Sequence, residues 1–184
     1  ARQLSDDSGV PGRFIVSELY DTPSVLQERF DIVYTGIGAL CWLPDIRGWA
    51  DVVSHFLNPG GAFYIFDHHP VLWSLDDERS DTELVIKHRY FEGEEPDSWE
   101  DPRDYANASA RIEHATTYEW NHGLGEIVTA LIDAGFAIEF LHEHQVCTFS
   151  ALPFMVKGDD GWWRLPERPE RLPLMYSIRA HKPV

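Results

Sequence analysis

Two short and nearly continuous apolar runs, Phe30–Tyr34 and Ala62–Phe66, bracket a stretch of different character. Between them Trp42, Leu43, Ile46, Trp49, Val52, Val53, Phe56 and Leu57 recur every three or four positions. The runs have the length of strands, and the intervening spacing is that of an amphipathic helix. Thr35-Gly36-Ile37-Gly38 breaks the first run, and Asn58-Pro59-Gly60-Gly61 stops the helix. A run without polar alternation suits a parallel strand covered on both faces. Two such strands joined by a helix make a right-handed crossover. Open sheets of this kind bind ligands at the carboxyl ends of their strands. The residues placed there are Tyr34-Thr35-Gly36 and Asp67-His68-His69-Pro70.

The flanking pattern adds further elements. Residues 1–12 read as a helix end and a loop, 14–19 as a strand and 24–29 as a helical turn. Leu124, Ile127, Val128, Leu131 and Ile132 form an amphipathic stripe closed by Gly135, a helix with a glycine C-cap. Ile138–Glu143 and Leu174–Ala180 read as strands, joined by a long irregular connection, 150–173, with Trp162-Trp163. Leu84–Phe91 and Thr116–Trp120 are expected to pair as an antiparallel hairpin.

Composition narrows the class. The 184 residues are 43% hydrophobic and 13% aromatic, enough apolar content for a packed core and too much for disorder. The net charge of −16 opposes phosphate backbones and anionic lipid, so neither nucleic acid nor a membrane is expected as partner. No apolar run reaches the roughly 20 residues of a membrane span. Within 76–104 twelve acids face four Lys or Arg, the pattern of a solvated insertion. Cys41 and Cys147, far apart in the chain, read as free thiols of a reducing compartment, here taken as cytoplasmic.

Phe30-Asp31-Ile32-Val33-Tyr34-Thr35-Gly36, then Leu43-Pro44-Asp45, then Leu57-Asn58-Pro59-Gly60-Gly61 and the next strand resemble the second half of a class I S-adenosylmethionine-dependent methyltransferase. Arg13–Asp21 resembles that family's strand ending in an acid beside adenine. Ala134-Gly135-Phe136 resembles the turn before its last two strands, and Leu174–Ala180 the final one. The resemblance implies an α/β fold, a Rossmann-like three-layer sandwich with a mostly parallel sheet, an antiparallel last strand and sheet order 3-2-1-4-5-7-6. The family's first strand and glycine-rich loop find no counterpart before Arg13. The chain is therefore expected to be one domain, 1–184, incomplete on its N-terminal side, with 74–120 as an inserted cap. The strand 14–19 would then have no neighbour. A nucleotide-dependent reductase would need a phosphate-binding glycine loop, which is also not found.

The same resemblance implies S-adenosyl-L-methionine as cofactor, held by Glu18, Leu19, Tyr34, Thr35 and Gly36, with Asp21 an alternate for Glu18. It implies methyl transfer to a small-molecule substrate. A histidine at a strand's carboxyl end titrates near neutrality and can take a proton from a hydroxyl or amine; His69 and His122 are the catalytic candidates. His68, Tyr118, Trp120 and Asn121 are the substrate-binding candidates. His142-x-His144 places two imidazoles on one strand face but lacks a third ligand, so no metal is expected. The competing expectation is a truncated, non-catalytic domain acting as a binding module or homodimer.

Overall fold

A computed structural model describes residues 1–100, 111 and 115–184. In chain order the helices and strands are α1 (Arg2–Ser8), α2 (Thr22–Val25), β1 (Phe30–Thr35), α3 (Ile46–Phe56), β2 (Leu57–His68), β3 (Asp97–Glu100), β4 (Thr116–Glu119), α4 (Leu124–Asp133), β5 (Ala137–His144), β6 (Val156–Lys157), β7 (Trp163–Arg164) and β8 (Met175–His181). The main sheet has order β1-β2-β8-β5. β1 and β2 are parallel, and β8 runs antiparallel to both β2 and β5. Three strands thus share one direction and the last opposes them. That arrangement matches the 4-5-7-6 half of the order implied by the sequence. Strand 30–34 lies beside strand 62–66, with Ile32 opposite Ala62 and Thr35 opposite Ile65.

The core forms because two helical stripes meet alternate positions of these strands. α3 buries Ile46, Trp49, Ala50, Val53 and Phe56, and α4 buries Ile127, Ala130 and Leu131. They close over Phe63, Ile65, Tyr176, Ile178 and Ala180. Trp49 meets Phe63 edge-on at 5.6 Å and donates its indole N–H to Thr35 Oγ1 at 3.2 Å, tying α3 to β1. The opposite sheet face carries aromatic pairs, including Tyr34 stacked on Tyr64.

Local chemistry sets the element ends. The apolar spacing from Trp42 predicts an earlier helix start than the one found. Leu40–Trp42 is instead a single 3-10 turn, and α3 begins only after Asp45, whose carboxylate accepts the N–H groups of Arg47 and Gly48 at 3.0 and 2.9 Å. An Asp N-cap satisfies donors that have no partner inside the helix. α4 is closed by Gly135, whose φ of +90° permits the Phe136 N–H to reach the Leu131 carbonyl.

Two expectations change. Residues 14–19 form no strand, and Val16 is 97% exposed. An extended segment becomes a strand only with a ladder partner, and this one does not pair with the edge strand β1. Thr116–Glu119 pairs with Asp97–Glu100 rather than with 84–91, of which only Ile86 bridges, to Leu75. The nearer partner closes the shorter loop, at lower entropic cost. The connection 150–173 is irregular as expected, yet it has its own small core. Cys147, Leu152, Met155, Leu165 and Leu174 pack with Leu72 and Leu75.

Ile65→Ala is expected to cost about 2–5 kcal/mol in urea denaturation, since Ile65 is fully buried between the helices and the sheet. Ile32→Ala, on the exposed edge strand, is expected to change stability by no more than about 0.5 kcal/mol.

Candidate functional site

The carboxyl ends of β1 and β2 are joined by one buried carboxylate. Asp67, the second-last residue of β2, accepts the N–H of Gly38 at 2.7 Å and of His68 at 2.8 Å. The Leu40 amide also turns toward it. Gly38 has a φ of +73°, which bends the loop after β1 back over the sheet. Burial pushes the Asp67 carboxyl up, while these N–H groups pull it back. Opposite Asp67 in the ladder stands Tyr176 of β8. Its phenol is buried, its hydroxyl has no hydrogen-bond partner among the described residues, and burial followed by the Asp67 charge raises its pKa well above the ordinary value.

Around this pair lies a cavity of about 40 Å³, lined by Gly38, Cys41, Asp67, His68, His122 and Tyr176 among others. Its lining shares Gly38, Cys41, His68, Trp73, Trp120 and Asn121 with a cleft of about 550 Å³. That is the size of a small-molecule site. The cleft is walled by Trp42, Trp73, Trp99, Trp120 and Phe149, and rimmed by Asp77, Asp97, Glu119 and Arg89. Trp73 and Phe149 stack at 6.2 Å, and His68 meets each edge-on. Arg89 is paired with Asp97 at 2.7 Å, so the remaining rim charge is acidic.

His68 and His88 both line the cleft, and of the two only His68 also lines the inner cavity. The His68 Nε2 lies 2.9 Å from Thr148 Oγ1, and its Nδ1 lies 3.7 Å from Asp67. Burial lowers its pKa to about 4. The ring is therefore neutral near pH 7, with one nitrogen carrying a proton and the other able to accept a hydrogen bond. Cys41 also lines the cleft, but burial and then Glu119 and Asp67 push its thiol up to about 12. That excludes it as a thiolate nucleophile at neutral pH.

The other expected residues are distributed unevenly. Trp120 and Asn121 line the cleft, and Asn121 is anchored by donating to the Pro70 and Tyr90 carbonyls, each at 3.2 Å. His122 reaches the inner cavity, with Nε2–H donating to the Leu43 carbonyl at 2.7 Å. Tyr118, 55% exposed in β4, lines neither cavity. His69 also lines neither. Its Nδ1 accepts the Val71 N–H, capping the turn Pro70–Ser74, and its Nε2 faces Glu143 at 3.0 Å. Pro70 directs the chain into that turn and carries the His69 ring away from the cleft.

Glu18, Leu19, Tyr34, Thr35 and Gly36 lie outside both cavities. Leu19 packs on the main core, and the neighbouring Tyr20 hydroxyl accepts the Asp45 N–H at 3.0 Å. Tyr34 is exposed on the open edge. The cleft walls Trp42, Trp73, Trp99 and Phe149, together with Asp67 and Tyr176, are functional candidates that sequence reasoning did not single out. Only the strand-end position of Asp67 signalled any of them.

The low pKa of His68 has a stability consequence. The unfolded chain binds a proton near pH 6.5, before folded His68 does near pH 4, so stability falls as pH drops through that window. Between pH 7.5 and 5 this residue alone should remove about 2 kcal/mol. In urea denaturation, the His68→Asn protein is expected to lose about 2 kcal/mol less than the parent over that interval. Equal losses would show that His68 is not held neutral.

No protein-family model matches the chain, and no curated protein matches it. Solved structures match its fold. An S-adenosylmethionine-dependent methyltransferase from Clostridium acetobutylicum aligns with a TM-score of 0.60 at 13% identity, over 100% of this chain and 70% of that one. A proposed enzyme of the same kind from Listeria monocytogenes aligns at 0.59 and 15% identity, over 100% of this chain and 76% of that one. Another, from Mesorhizobium loti, aligns at 0.51 and 21% identity, over 84% of this chain and 62% of that one. The chain thus spans only part of each relative's length, and it carries the fold of the class I S-adenosylmethionine-dependent methyltransferases.

Proposed function

We propose that the protein transfers a methyl group from S-adenosyl-L-methionine to a small-molecule acceptor. The observation that carries this reading is the aromatic cleft at the carboxyl ends of β1 and β2, set in a sheet with the methyltransferase strand order. The cofactor would rest on the open side of β1. A side chain added at Gly36 would touch only Tyr34, one at Gly38 would meet nothing within 4 Å, and Tyr34 and Ile37 are exposed beside them. In this reading Tyr34, Thr35 and Gly36 hold the cofactor, with Glu18 and Leu19 at its adenine end. When bound, it supplies a methyl group already activated as a sulfonium.

The chain's own residues then align the acceptor and exclude water. The indoles of Trp73, Trp99 and Trp120 sandwich an apolar or aromatic body. The acidic rim favours a neutral or cationic acceptor over an anionic one. Neutral His68 accepts a hydrogen bond from the acceptor's hydroxyl or amine. A base held at about pKa 4 is too weak to keep the proton, so its part is orientation and relay. His122, with Nε2 on the Leu43 carbonyl and Nδ1 facing Glu92, acts as a positioning residue at the inner end. In this reading the described parts of 74–120, which place Asp77, Arg89, Trp99 and Glu119 on the cleft, act as the substrate cap, and 101–110 and 112–114 lie outside the described residues. Among the described residues no helix is long and apolar enough to cross a membrane, and the free thiols Cys41 and Cys147 suit a cytoplasmic setting.

The second reading is a non-catalytic module that pairs with another copy. It is favoured by the uncovered edge strand β1, where Phe30, Ile32 and Tyr34 are exposed.

Calorimetric titration with S-adenosylhomocysteine, followed by a methyl-transfer screen of small amines and phenols, distinguishes the two. The enzyme reading predicts saturable one-to-one binding, and an acceptor KM raised about tenfold by Trp73→Ala with kcat little changed. No binding, combined with a concentration-dependent dimer in sedimentation, would replace it with the second reading.

A further inference from the structure

A second group of polar side chains stands beside the cleft, behind Asn121. Glu92, His122 and Glu126 each turn one ligand atom to a common point, all within 4.8 Å of one another. They come from three settings. Glu92 belongs to the acidic stretch 76–104, His122 precedes α4, and Glu126 lies in its first turn. His122 and Glu126 are four residues apart and project from the same side of the helix entry.

His122 makes this more than a patch of acids. Its side chain is 2% exposed. Its Nε2 contacts the Leu43 carbonyl at 2.7 Å, and a carbonyl can only accept, so the proton sits on Nε2. In the neutral ring Nδ1 then presents its lone pair. It has no hydrogen-bond partner among the described residues. Glu92 Oε2 lies 2.7 Å away, and Glu126 Oε2 3.7 Å away. With the ring neutral, that lone pair faces two carboxylates, which is repulsive unless a cation stands between them; a second ring proton would instead make a His122–Glu92 ion pair. Ligands at about 2.1 Å from one metal are about 3.0–3.4 Å apart. The two separations from Nδ1, 2.7 and 3.7 Å, bracket that range.

We propose that Glu92, His122 and Glu126 bind one divalent transition-metal ion, with the Leu43 carbonyl orienting the imidazole. A carbonyl or carboxylate on the far nitrogen of a ligating histidine is the usual orienting partner. One imidazole and two carboxylates suit Zn²⁺, Co²⁺ or Mn²⁺. They offer no thiolate for Cu⁺, and the imidazole disfavours Ca²⁺ and Mg²⁺. Three protein ligands leave a position for water. The ion would offset repulsion within the acidic stretch and fasten that stretch to α4 and to the loop after β1. It would thus order one wall of the cleft, whether or not the cleft transfers methyl groups.

The test is a Co²⁺ titration of chelator-treated protein, read by visible d–d absorption, with Zn²⁺ as competitor. The proposal predicts one saturable equivalent, displaced by Zn²⁺. It predicts a melting temperature raised on the order of 5–10 °C at a hundredfold excess over Kd. Glu126→Gln, on an exposed helix face, and Glu92→Gln should each weaken binding by at least about tenfold while circular dichroism stays unchanged. His142→Asn and His144→Asn should leave it unaltered. No saturable binding would overturn the proposal, leaving a plain His122–Glu92 ion pair. So would binding that survives both glutamate variants, or that is lost only with His142 or His144.

Discussion

The Asp67 carboxylate is the interaction on which the architecture of the site depends. One oxygen holds the N–H of Gly38 and that of His68, so the loop leaving β1 and the end of β2 share a single anchor. A buried carboxylate is costly unless its lone pairs are occupied. Here the desolvation is offset by amides that would otherwise have no partner of their own. Cys41 and Trp42, the near wall of the cleft, follow directly from the anchored loop. His68, the floor, follows from the anchored strand. Tyr176 opposite Asp67 completes a narrow polar end to a cleft that is otherwise aromatic.

This arrangement explains why the cleft is well formed while the outer side of β1 is open. The cleft is bounded by five stretches of the chain, 38–42, 68–77, 88–99, 119–121 and 149–151. Asp67 holds the loop after β1, and the small core around Leu72, Leu75 and Leu152 holds the far wall. The Asn121 amide ties Pro70 to the segment around Tyr90. On the other side, β1 is the last strand of the sheet among the described residues, and its outer edge faces solvent. A ligand there would rest on exposed backbone and on Tyr34 and Ile37 rather than in a closed cradle.

Much of the fold was legible in the sequence, because it is written in local periodicity. The runs at 30–34 and 62–66, the helical stripe between them and the glycine after Leu131 each report burial that neighbouring residues decide together. The misreadings fall where a distant choice decides. Residues 14–19 have strand composition, yet no ladder accepts them. Residues 84–91 are as strand-like as 97–100, and chain closure selects the latter. The site was legible only at its strand ends. Asp67, His68, Trp120 and Asn121 lay near positions that topology marks. Trp73 and Phe149 stack across 76 residues of sequence, and nothing in their local pattern announces it. His69 shows the converse. It sits at the marked position, but Pro70 turns the following chain so that its ring caps a turn instead of lining the cleft.

The central claim is that ligands bind at the carboxyl ends of β1 and β2, around the Asp67 anchor. Amide chemical-shift mapping by nuclear magnetic resonance, with S-adenosylhomocysteine added to the protein, tests it most directly. The account predicts that the largest shifts fall on Tyr34–Gly38 and His68, with smaller ones along the cleft wall at Trp120 and Asn121. Shifts confined to α1, the β6–β7 pair or the outer face of β5, or no saturable shifts at all, would contradict it.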